Sequence, residues 1–318
     1  MIEPLTGTME AYDTLRPLMI HTPTAPSNIL SENKQGSIYL KLENLQRTGS
    51  FKARGAYNKL ASLTEEERAR GVIACSAGNH AQGVALAASL LGISARIFMP
   101  VTAPVTKVES TRMYGAEVIL AGDSFDETKQ LTLDEVTKTG EVFISPFDDL
   151  KVIEGQGTIG VEILEDLPDV DNVIVPIGGG GLIAGVAMAI KHYRPEVKII
   201  GVQTYRVHGM IQSIWKNELV HNRTAKTLAD GCDVALAGEL TYSILKDKID
   251  ETVLVEEEAI QEAVSYLALR EKVVAEGAGA LTTAAIRSGQ IDHLLKGKKT
   301  VAIVSGGNID FSVFKSLI

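Results

Sequence analysis

Short runs of apolar, often β-branched residues alternate with longer amphipathic stretches along almost the whole chain. This alternation is typical of parallel sheets covered by helices, so the sequence predicts an α/β fold. The predicted strands are 38–42, 72–75, 95–99, 117–120, 142–145, 172–176, 198–203, 252–255 and 300–305. The predicted helices are 51–62, 81–91, 105–114, 124–137, 157–164, 182–191, 256–270 and 277–288. Thr64 followed by Glu67 is a predicted capping box, which marks the start of a further helix.

The predicted strands fall into two groups along the chain. Four lie between residues 72 and 145, and the others are the strand at 38–42 and those from 172 onward. The simplest arrangement is two α/β units, the second built partly from the beginning of the chain, with a cleft between them. Ligands of such folds bind where the carboxyl ends of the strands meet, so we expect the functional site in this cleft.

Composition narrows the class of protein. The chain has 318 residues, of which 45% are hydrophobic and 22% charged, and this excludes a disordered chain. Its net charge of −9 argues against nucleic acid and anionic membranes as partners. Cys75 and Cys232 are far apart and match no zinc-site spacing, so we predict free thiols, no metal and a reducing compartment.

The location of the protein is predicted from two further segments. The beginning, Met1-Ile-Glu-Pro, lacks the charged and apolar regions of a signal peptide. Residues 173–190 carry no charge, but Pro176 and a run of glycines interrupt them, which a lipid-exposed helix does not tolerate. We therefore interpret 173–190 as a strand, a turn and a helix, and predict a cytoplasmic protein without a membrane partner.

A run of four glycines, 178–181, follows the strand at 172–176 and precedes a helix. Consecutive backbone N–H groups at a helix N-terminus form an anion site, and four glycines exceed what a tight turn needs. The acidic residue that binds ribose in dinucleotide folds, ~20 residues further on, is absent, since that strand ends in Gly201-Val-Gln-Thr204. No Gly-Lys-Ser/Thr motif follows a glycine loop, so a small monophosphate ligand fits better than NAD or ATP.

Lys52 lies at the start of a predicted helix, beside Phe51 and after Thr48 and Ser50, which we predict to cap the helix. The positive end of a helix disfavours an ammonium group and lowers its pKa. A partly neutral lysine is what a Schiff base with an aldehyde cofactor requires, although most single lysines are surface charges.

Two further loops follow strands. Ser76-Ala-Gly-Asn-His80 has small residues and an asparagine at a helix start, which suits a carboxylate, although an ordinary N-cap would look the same. Ser305-Gly-Gly-Asn308 follows the last strand. If the four loops meet in one cleft, they supply an amine, a phosphate site, a carboxylate site and a hydroxyl group. This combination indicates a pyridoxal phosphate site that acts on an amino acid.

The chain resembles the fold type II pyridoxal phosphate enzymes, the tryptophan synthase β-like family, and within it the catabolic threonine dehydratases. The resemblance extends over nearly the whole chain. It rests on the segments 41–55, 76–82, 176–182, Ala229-Asp-Gly-Cys-Asp233, Glu276-Gly-Ala-Gly279 and Ser305-Gly-Gly-Asn-Ile-Asp310. It implies two domains of twisted, parallel-rich sheets flanked by helices, with the active site between them. The large domain would be 1–70 and 150–318, and the small domain 71–149.

The resemblance also implies roles for the residues of these segments. Lys52 would bind the cofactor covalently and remove the Cα proton of the substrate, with Phe51 beside the ring. Asn79 would hydrogen-bond the 3-oxygen of the cofactor, and Ser305 would face its pyridine nitrogen. The phosphate would be bound by the backbone of Gly178, Gly179, Gly180, Gly181 and Leu182. The substrate carboxylate would be bound by Ser76, Ala77, Gly78, Asn79 and His80.

The reaction that the resemblance implies is the dehydration and deamination of L-threonine to 2-oxobutanoate and ammonia, and of L-serine to pyruvate. Catabolic members are oligomers activated by AMP, so the resemblance implies a homo-oligomer, dimer or tetramer. The positions that resemble the AMP site are Arg47, Thr48, Gln82, Met113, Tyr114 and Asn308.

Other functions remain open from the sequence. The closest alternative is a serine racemase of the same fold, in which a serine of the asparagine loop donates a proton to the opposite face of Cα. That position here is Ala77, which carries no such proton. A nicotinamide-dependent oxidoreductase is disfavoured by the missing ribose acid. The presence of Lys52 argues against a non-catalytic amino-acid or nucleotide sensor without excluding it.

Overall fold

The computed structural model describes residues 4–221 and 225–318. Residues 1–3, part of the segment in which no signal peptide is predicted, lie outside the described residues. The strands are β1 Thr24–Pro26, β2 Ser37–Leu42, β3 Val72–Cys75, β4 Ala95–Met99, β5 Glu117–Leu120, β6 Val142–Phe143, β7 Asn172–Pro176, β8 Lys198–Thr204, β9 Glu251–Val255 and β10 Lys299–Val304. Short helical turns are Glu43–Leu45 and Asp230–Cys232, both 3₁₀, and Leu267–Glu271, which is a π-helix.

Helices occupy most of the chain between the strands. They are α1 Pro4–Leu15, α2 Asn28–Lys34, α3 Lys52–Ala61, α4 Glu65–Arg70, α5 Asn79–Leu91, α6 Val105–Met113, α7 Phe125–Thr139, α8 Leu150–Asp166, α9 Gly181–Tyr193, α10 Gly209–Lys216, α11 Glu239–Leu245, α12 Glu257–Tyr266, α13 Gly277–Ser288, α14 Asp292–Leu295 and α15 Phe311–Leu317. The predicted capping box is confirmed, because Thr64 and Glu67 exchange hydrogen bonds at the start of α4. Among the described residues, no helix is long and apolar enough to cross a membrane.

Two sheets form the framework of the described chain. The larger has the order β1-β2-β10-β7-β8-β9, and its strands are parallel except for β1, which pairs antiparallel with β2. The smaller has the parallel order β5-β4-β3-β6. The predicted grouping of strands is therefore confirmed, since β2, from early in the chain, pairs with β10, from its end. Leu42 lies opposite Val304, so the segments that follow β2 and β10 begin side by side.

The structure corrects several predicted elements. The predicted helix 157–164 is one part of a longer helix, α8, which Asp149 caps by accepting hydrogen bonds from two backbone N–H groups. The predicted helix 256–270 divides into α12 and the π-helical turn. The predicted strand 142–145 shortens to β6. The edge strand β1 and several helices (α1, α2, α10, α11, α14 and α15) were not predicted.

Helix α8 lies between α3 and α9, in close backbone contact with both. A Cβ on Gly155 would lie 2.7 Å from the Cα of Gly55 in α3. A Cβ on Gly185 of α9 would lie 2.5 Å from the backbone nitrogen of Gly157 in α8. These glycines make α8 a poor helix by propensity alone, but they allow the three helices to cross at short distance.

The predicted domain boundaries stay a prediction. The smaller sheet is formed by residues inside 71–149, as the division requires. Its hydrophobic core also contains Leu15 and Met19, and from α3 Ala53, Ala56, Tyr57 and Leu60. Helix α3 therefore packs against α5 and contributes to the core of the smaller sheet although it precedes residue 71.

Candidate active site

Lys52 is the first residue of α3, and its side chain is half-buried. Its Nζ donates a hydrogen bond of 2.7 Å to the carbonyl oxygen of Pro146. Burial lowers the pKa of Lys52 to about 8, while Cys232 and Glu276 partly oppose this shift. A minor fraction of the amine is therefore neutral near physiological pH, and burial, rather than the helix end named in the sequence prediction, lowers the pKa.

The predicted capping of α3 by Thr48 and Ser50 is wrong. Among the described residues, no side chain caps helix α3, and the buried hydroxyl oxygens of Thr48 and Ser50 have no hydrogen-bond partner. The segment is instead held by the backbone after β10. Ser50 forms an isolated antiparallel bridge with Gly306, and the N–H of Phe51 donates to the carbonyl oxygen of Ser305 over 3.1 Å. These cross-chain bonds place Lys52 beside the loop that begins at Ser305.

The glycine run connects β7 to α9, as predicted. The backbone N–H groups of 178–182 donate no hydrogen bond to any described residue, so the row is available to an anion. Gly180 has a φ of +96°, a conformation that L side chains rarely adopt. The carbonyl of Gly179 accepts a hydrogen bond of 2.7 Å from the Thr241 hydroxyl, which helps to fix the loop.

The segment 146–148 forms a wall shared by the lysine and the glycine loop. Pro146 accepts the hydrogen bond from Lys52. The next residue, Phe147, packs so closely that a Cβ on Gly179 would lie 2.4 Å from its ring. Asp148 then accepts a hydrogen bond of 3.1 Å from the backbone N–H of Thr241. The amine and the anion site are thus one short segment apart.

The asparagine loop lies at the N-terminus of α5. Within it, the Ser76 hydroxyl accepts a hydrogen bond of 3.2 Å from the N–H of Gly78. Asn79 donates through Nδ2 to Oε1 of Glu276 over 2.6 Å. The His80 side chain contacts the carbonyl oxygen of Ile144 through Nε2 over 2.9 Å. Burial and the nearby Lys52 charge lower the pKa of His80 to about 3, so this ring is neutral.

Glu276 is the principal site residue to which the sequence analysis assigned no role. It is buried, and burial together with the nearby Asp230 charge raises its pKa to about 7. Cys232, also buried, lies behind the glycine run, because a Cβ on Gly178 would be 3.2 Å from its Cα. Burial and Glu276 raise the pKa of this thiol to about 12, so it is protonated. The sequence signals for Glu276 are its place in one of the segments on which the family resemblance rests and its position directly before the glycines that begin α13.

Four of the six positions proposed for AMP are joined by hydrogen bonds. The Tyr114 hydroxyl donates to the carbonyl oxygen of Arg47 over 3.3 Å. Asn308 donates through Nδ2 to the carbonyl oxygen of Thr48 and to Oδ1 of Asn79, both over 2.7 Å. Asn308 therefore contacts both sets of predicted site residues. The two remaining positions differ in exposure, since Gln82 is buried in α5 and Met113 is 86% exposed.

Known proteins resemble the chain over almost its full length. The profile of a family described as pyridoxal-phosphate dependent enzymes matches residues 15–306. A catabolic L-threonine dehydratase of Escherichia coli (strain K12) is 54% identical over 304 residues, which cover 96% of this chain and 92% of that protein.

Solved structures agree with the predicted fold. The processed form of threonine deaminase isoform 2 from Solanum lycopersicum has a TM-score of 0.94 at 39% identity, covering 99% of this chain and 87% of that chain. Serine racemase from maize has a TM-score of 0.92 at 34% identity, covering 98% of this chain and 95% of that chain. The fold class predicted from the sequence is thereby confirmed.

Proposed function

Since the chain belongs to the family of pyridoxal-phosphate dependent enzymes, we propose that it is a lyase that converts L-threonine to 2-oxobutanoate and ammonia. L-serine, which carries the same β-hydroxyl group, is a second substrate and gives pyruvate. The observation that carries the proposal is the proximity of two groups at the wall 146–148. One is the Lys52 amine, whose pKa is lowered and which hydrogen-bonds to Pro146. The other is the row of backbone N–H groups at 178–182, which bind no described residue.

The residues present fit pyridoxal phosphate. The row of N–H groups at 178–182 suits its phosphate, and the Lys52 amine suits its aldehyde. Asn79 suits its 3-oxygen, and the Ser305 side chain, which follows β10, suits its pyridine nitrogen. When bound, this cofactor acts as an electron sink that allows an amino acid to lose its Cα proton.

The protein groups then have distinct tasks in the reaction. Lys52 Nζ accepts the Cα proton, for which a pKa of about 8 is close to the operating pH. The substrate carboxylate is bound at the start of α5 by backbone and hydroxyl groups of the loop Ser76, Ala77, Gly78, Asn79 and His80. The His80 side chain, whose Nε2 contacts Ile144, positions this loop rather than the substrate. Ser305 is neutral and therefore does not promote protonation of the ring nitrogen.

Regulation and assembly follow the same proposal. AMP binds at the positions predicted from the sequence and activates the enzyme, with the phosphate on Arg47, which is exposed. The path to the active site is short, because Asn308 contacts Asn79 directly. The protein is a homo-oligomer of the cytoplasm, in keeping with two buried, unpaired cysteines. Its large domain is 1–70 and 150–318, and its small domain is 71–149.

The decisive experiment measures ammonia and 2-oxo acid release from L-threonine and L-serine by the purified holoenzyme. Lys52→Ala should lower kcat at least a thousandfold while leaving the fold intact by circular dichroism. Borohydride reduction followed by peptide mass mapping should place the cofactor on Lys52. An unmodified Lys52 peptide from an active enzyme would overturn the assignment.

Arg47→Ala should abolish activation by AMP without changing the basal rate. Unchanged kinetics of the wild type with millimolar AMP would refute the proposed activation by AMP.

A further inference from the structure

Arg54 lies two residues after Lys52 in the first turn of α3. In an α-helix, positions two apart point about 200° away from each other, so the two side chains leave the helix on opposite sides. Lys52 faces Pro146 and the active site, whereas Arg54 is buried behind the helix. The two cations therefore share one turn of backbone but have different surroundings.

The Arg54 guanidinium binds two carboxylates, each through two hydrogen bonds. Nε and Nη2 donate to Glu43 over 2.9 and 2.8 Å. Nη1 and Nη2 donate to Glu162 over 2.6 and 2.9 Å. Burial lowers the pKa of Arg54, but the two carboxylates raise it more, so the group remains charged. Nη1 also donates to the Thr158 hydroxyl over 3.2 Å.

The carboxylates belong to elements that surround the active site. Glu43 is in the 3₁₀ turn after β2, and Glu162 is in α8. Helix α8 begins directly after the wall 146–148 and packs against α9, which begins at the glycine run. Lys41, a buried residue of β2, completes the cluster by pairing with Glu162 over 2.8 Å. The positive charges of Arg54 and Lys41 balance the negative charges of the two carboxylates. The Arg54 guanidinium connects α3 to the 3₁₀ turn after β2 and to α8.

We propose that Arg54 is a positioning residue, which fixes the Lys52 amine relative to the phosphate-binding glycine run by joining α3 to Glu43 and α8. Two bidentate pairs on one planar group set both distance and orientation, which a lysine at this position could not do. The inference rests on the proposed function, because it assigns a task to Arg54 in that reaction.

The test uses Arg54→Lys in the full-length protein, with Lys41→Met as the matched control. Lys41 belongs to the same buried cluster and shares Glu162, but it lies on β2, and among the described residues its ammonium group bonds to Glu162, Asp166 and the carbonyl oxygen of Thr22 rather than to α3. Both variants should unfold at lower temperature than the wild type. Only Arg54→Lys should also weaken pyridoxal phosphate binding at least tenfold and lower kcat at least tenfold, with KM for threonine within twofold of the wild type.

A readout without the cofactor separates positioning from stability. In the cofactor-free protein, the pH midpoint for labelling Lys52 with trinitrobenzenesulfonate, quantified by peptide mass mapping, should rise in Arg54→Lys. It should stay unchanged in Lys41→Met, in which Pro146, Cys232, Glu276 and His80 still surround the amine. A folded Arg54→Lys with wild-type cofactor affinity and midpoint would overturn the proposal. An equal loss of cofactor affinity and an equal rise of the labelling midpoint in Lys41→Met would overturn the proposal as well.

A milder variant keeps the proposal testable if Arg54→Lys does not fold. Thr158→Val removes the hydrogen bond that the Thr158 hydroxyl accepts from the guanidinium, together with the bond that it donates to the carbonyl oxygen of Gly155, and preserves the shape of the side chain. It should weaken cofactor binding two- to fivefold, and an unchanged affinity would count against the proposal. If the wild type does not act on threonine, the proposed function fails. Cofactor affinity and the labelling midpoint of Lys52 still decide the role of Arg54 in that case.

Discussion

Asn79 and Glu276, 197 positions apart, are joined by a hydrogen bond of 2.6 Å between Nδ2 and Oε1. The orientation of the Asn79 amide is fixed from its other side. Asn308 must donate to the carbonyl oxygen of Thr48, and its second N–H donates to Oδ1 of Asn79. One N–H of Asn79 is therefore left for a further acceptor, which matches the predicted contact with the 3-oxygen of the cofactor.

Glu276→Gln should change how the stability of the cofactor-free enzyme depends on pH. The pKa of Glu276 is raised from 4.5 to about 7, so the folded state favours its protonated form. Its contribution is complete below pH 4.5 and is lost as the pH rises through 7. We expect the free energy of unfolding of the wild type to fall by about 3 kcal/mol more than that of the variant across this range. Urea unfolding at a series of pH values measures the difference.

The control for this experiment is Glu218→Gln, which changes an exposed carboxylate. It should leave the pH dependence of unfolding as it is in the wild type. If the free energy of unfolding depended on pH in the same way in the wild type and in Glu276→Gln, Glu276 would titrate in the ordinary range for a carboxyl group.

Covalent attachment of pyridoxal phosphate to the cofactor-free enzyme should depend on the neutral fraction of Lys52. Because burial lowers the pKa of Lys52 from 10.5 to about 8, the rate should rise about tenfold per pH unit below 8 and level off above it. Absorbance changes after rapid mixing follow this rate. A rate that continues to rise up to pH 10.5 would indicate an unperturbed lysine.

Two variants assign this reactivity to Lys52 alone. Lys52→Arg should abolish attachment, because a guanidinium does not lose its proton in proteins. Lys59→Met removes another lysine of α3, one that pairs with Asp149 over 2.7 Å, and should leave the rate profile unchanged.

Gly179→Ala should weaken binding of the phosphate group. Its Cβ would lie 2.4 Å from the Phe147 ring, so the wall 146–148 or the glycine run must move. We expect at least tenfold weaker binding of pyridoxal phosphate, and a smaller loss for pyridoxal, which has no phosphate to place. Titration by absorbance measures both affinities.

Gly78→Ala is the matched glycine control for this comparison. A Cβ on Gly78 would have open space around it, with no contact within 4 Å, and the φ of −126° lies outside the left-handed region that favours glycine. Its affinity for pyridoxal phosphate should stay within twofold of the wild type. Equal losses in the two variants would mean that glycine flexibility, rather than the contact with Phe147, determines binding.

Local sequence was sufficient for the buried parallel strands. The bounds of β3, β4 and β7 match their predictions, because a buried parallel strand is a short, continuous apolar run, and the bounds of the more exposed edge strand β5 match as well. The extent of α8 could not be read in the same way. Gly155, Gly157 and Gly160 lower its helix propensity, and the reason for them lies in α3 and α9, far away in the sequence.

The same distinction applies to the active site. Lys52 and the glycine run have local signatures, namely a helix start and consecutive unpaired N–H groups. The Pro146 carbonyl has none, and the segment 276–279 marks the position of Glu276 but not its role, because each group acts through a contact with a distant segment. Pro146 lies 94 positions from Lys52, and a backbone carbonyl carries no information in its side chain. The predicted caps Thr48 and Ser50 failed for a related reason, since the backbone around residues 305–307 holds this segment instead.

Ala77→Ser should introduce racemase activity. Ala77 is half-buried in the asparagine loop, two residues before Asn79, at the position where the family resemblance implies a serine in racemases. Racemisation needs a proton donor on the face of Cα opposite Lys52, and the methyl group of alanine cannot supply one. We expect the wild type to form pyruvate from L-serine with D-serine below detection, and the variant to form D-serine at a rate at least tenfold above the detection limit. Chiral chromatography measures both enantiomers, and Ala77→Gly, which alters the size of the side chain without adding a donor, should form none. D-serine formation by the wild type at a rate comparable with pyruvate release would refute the role given to position 77.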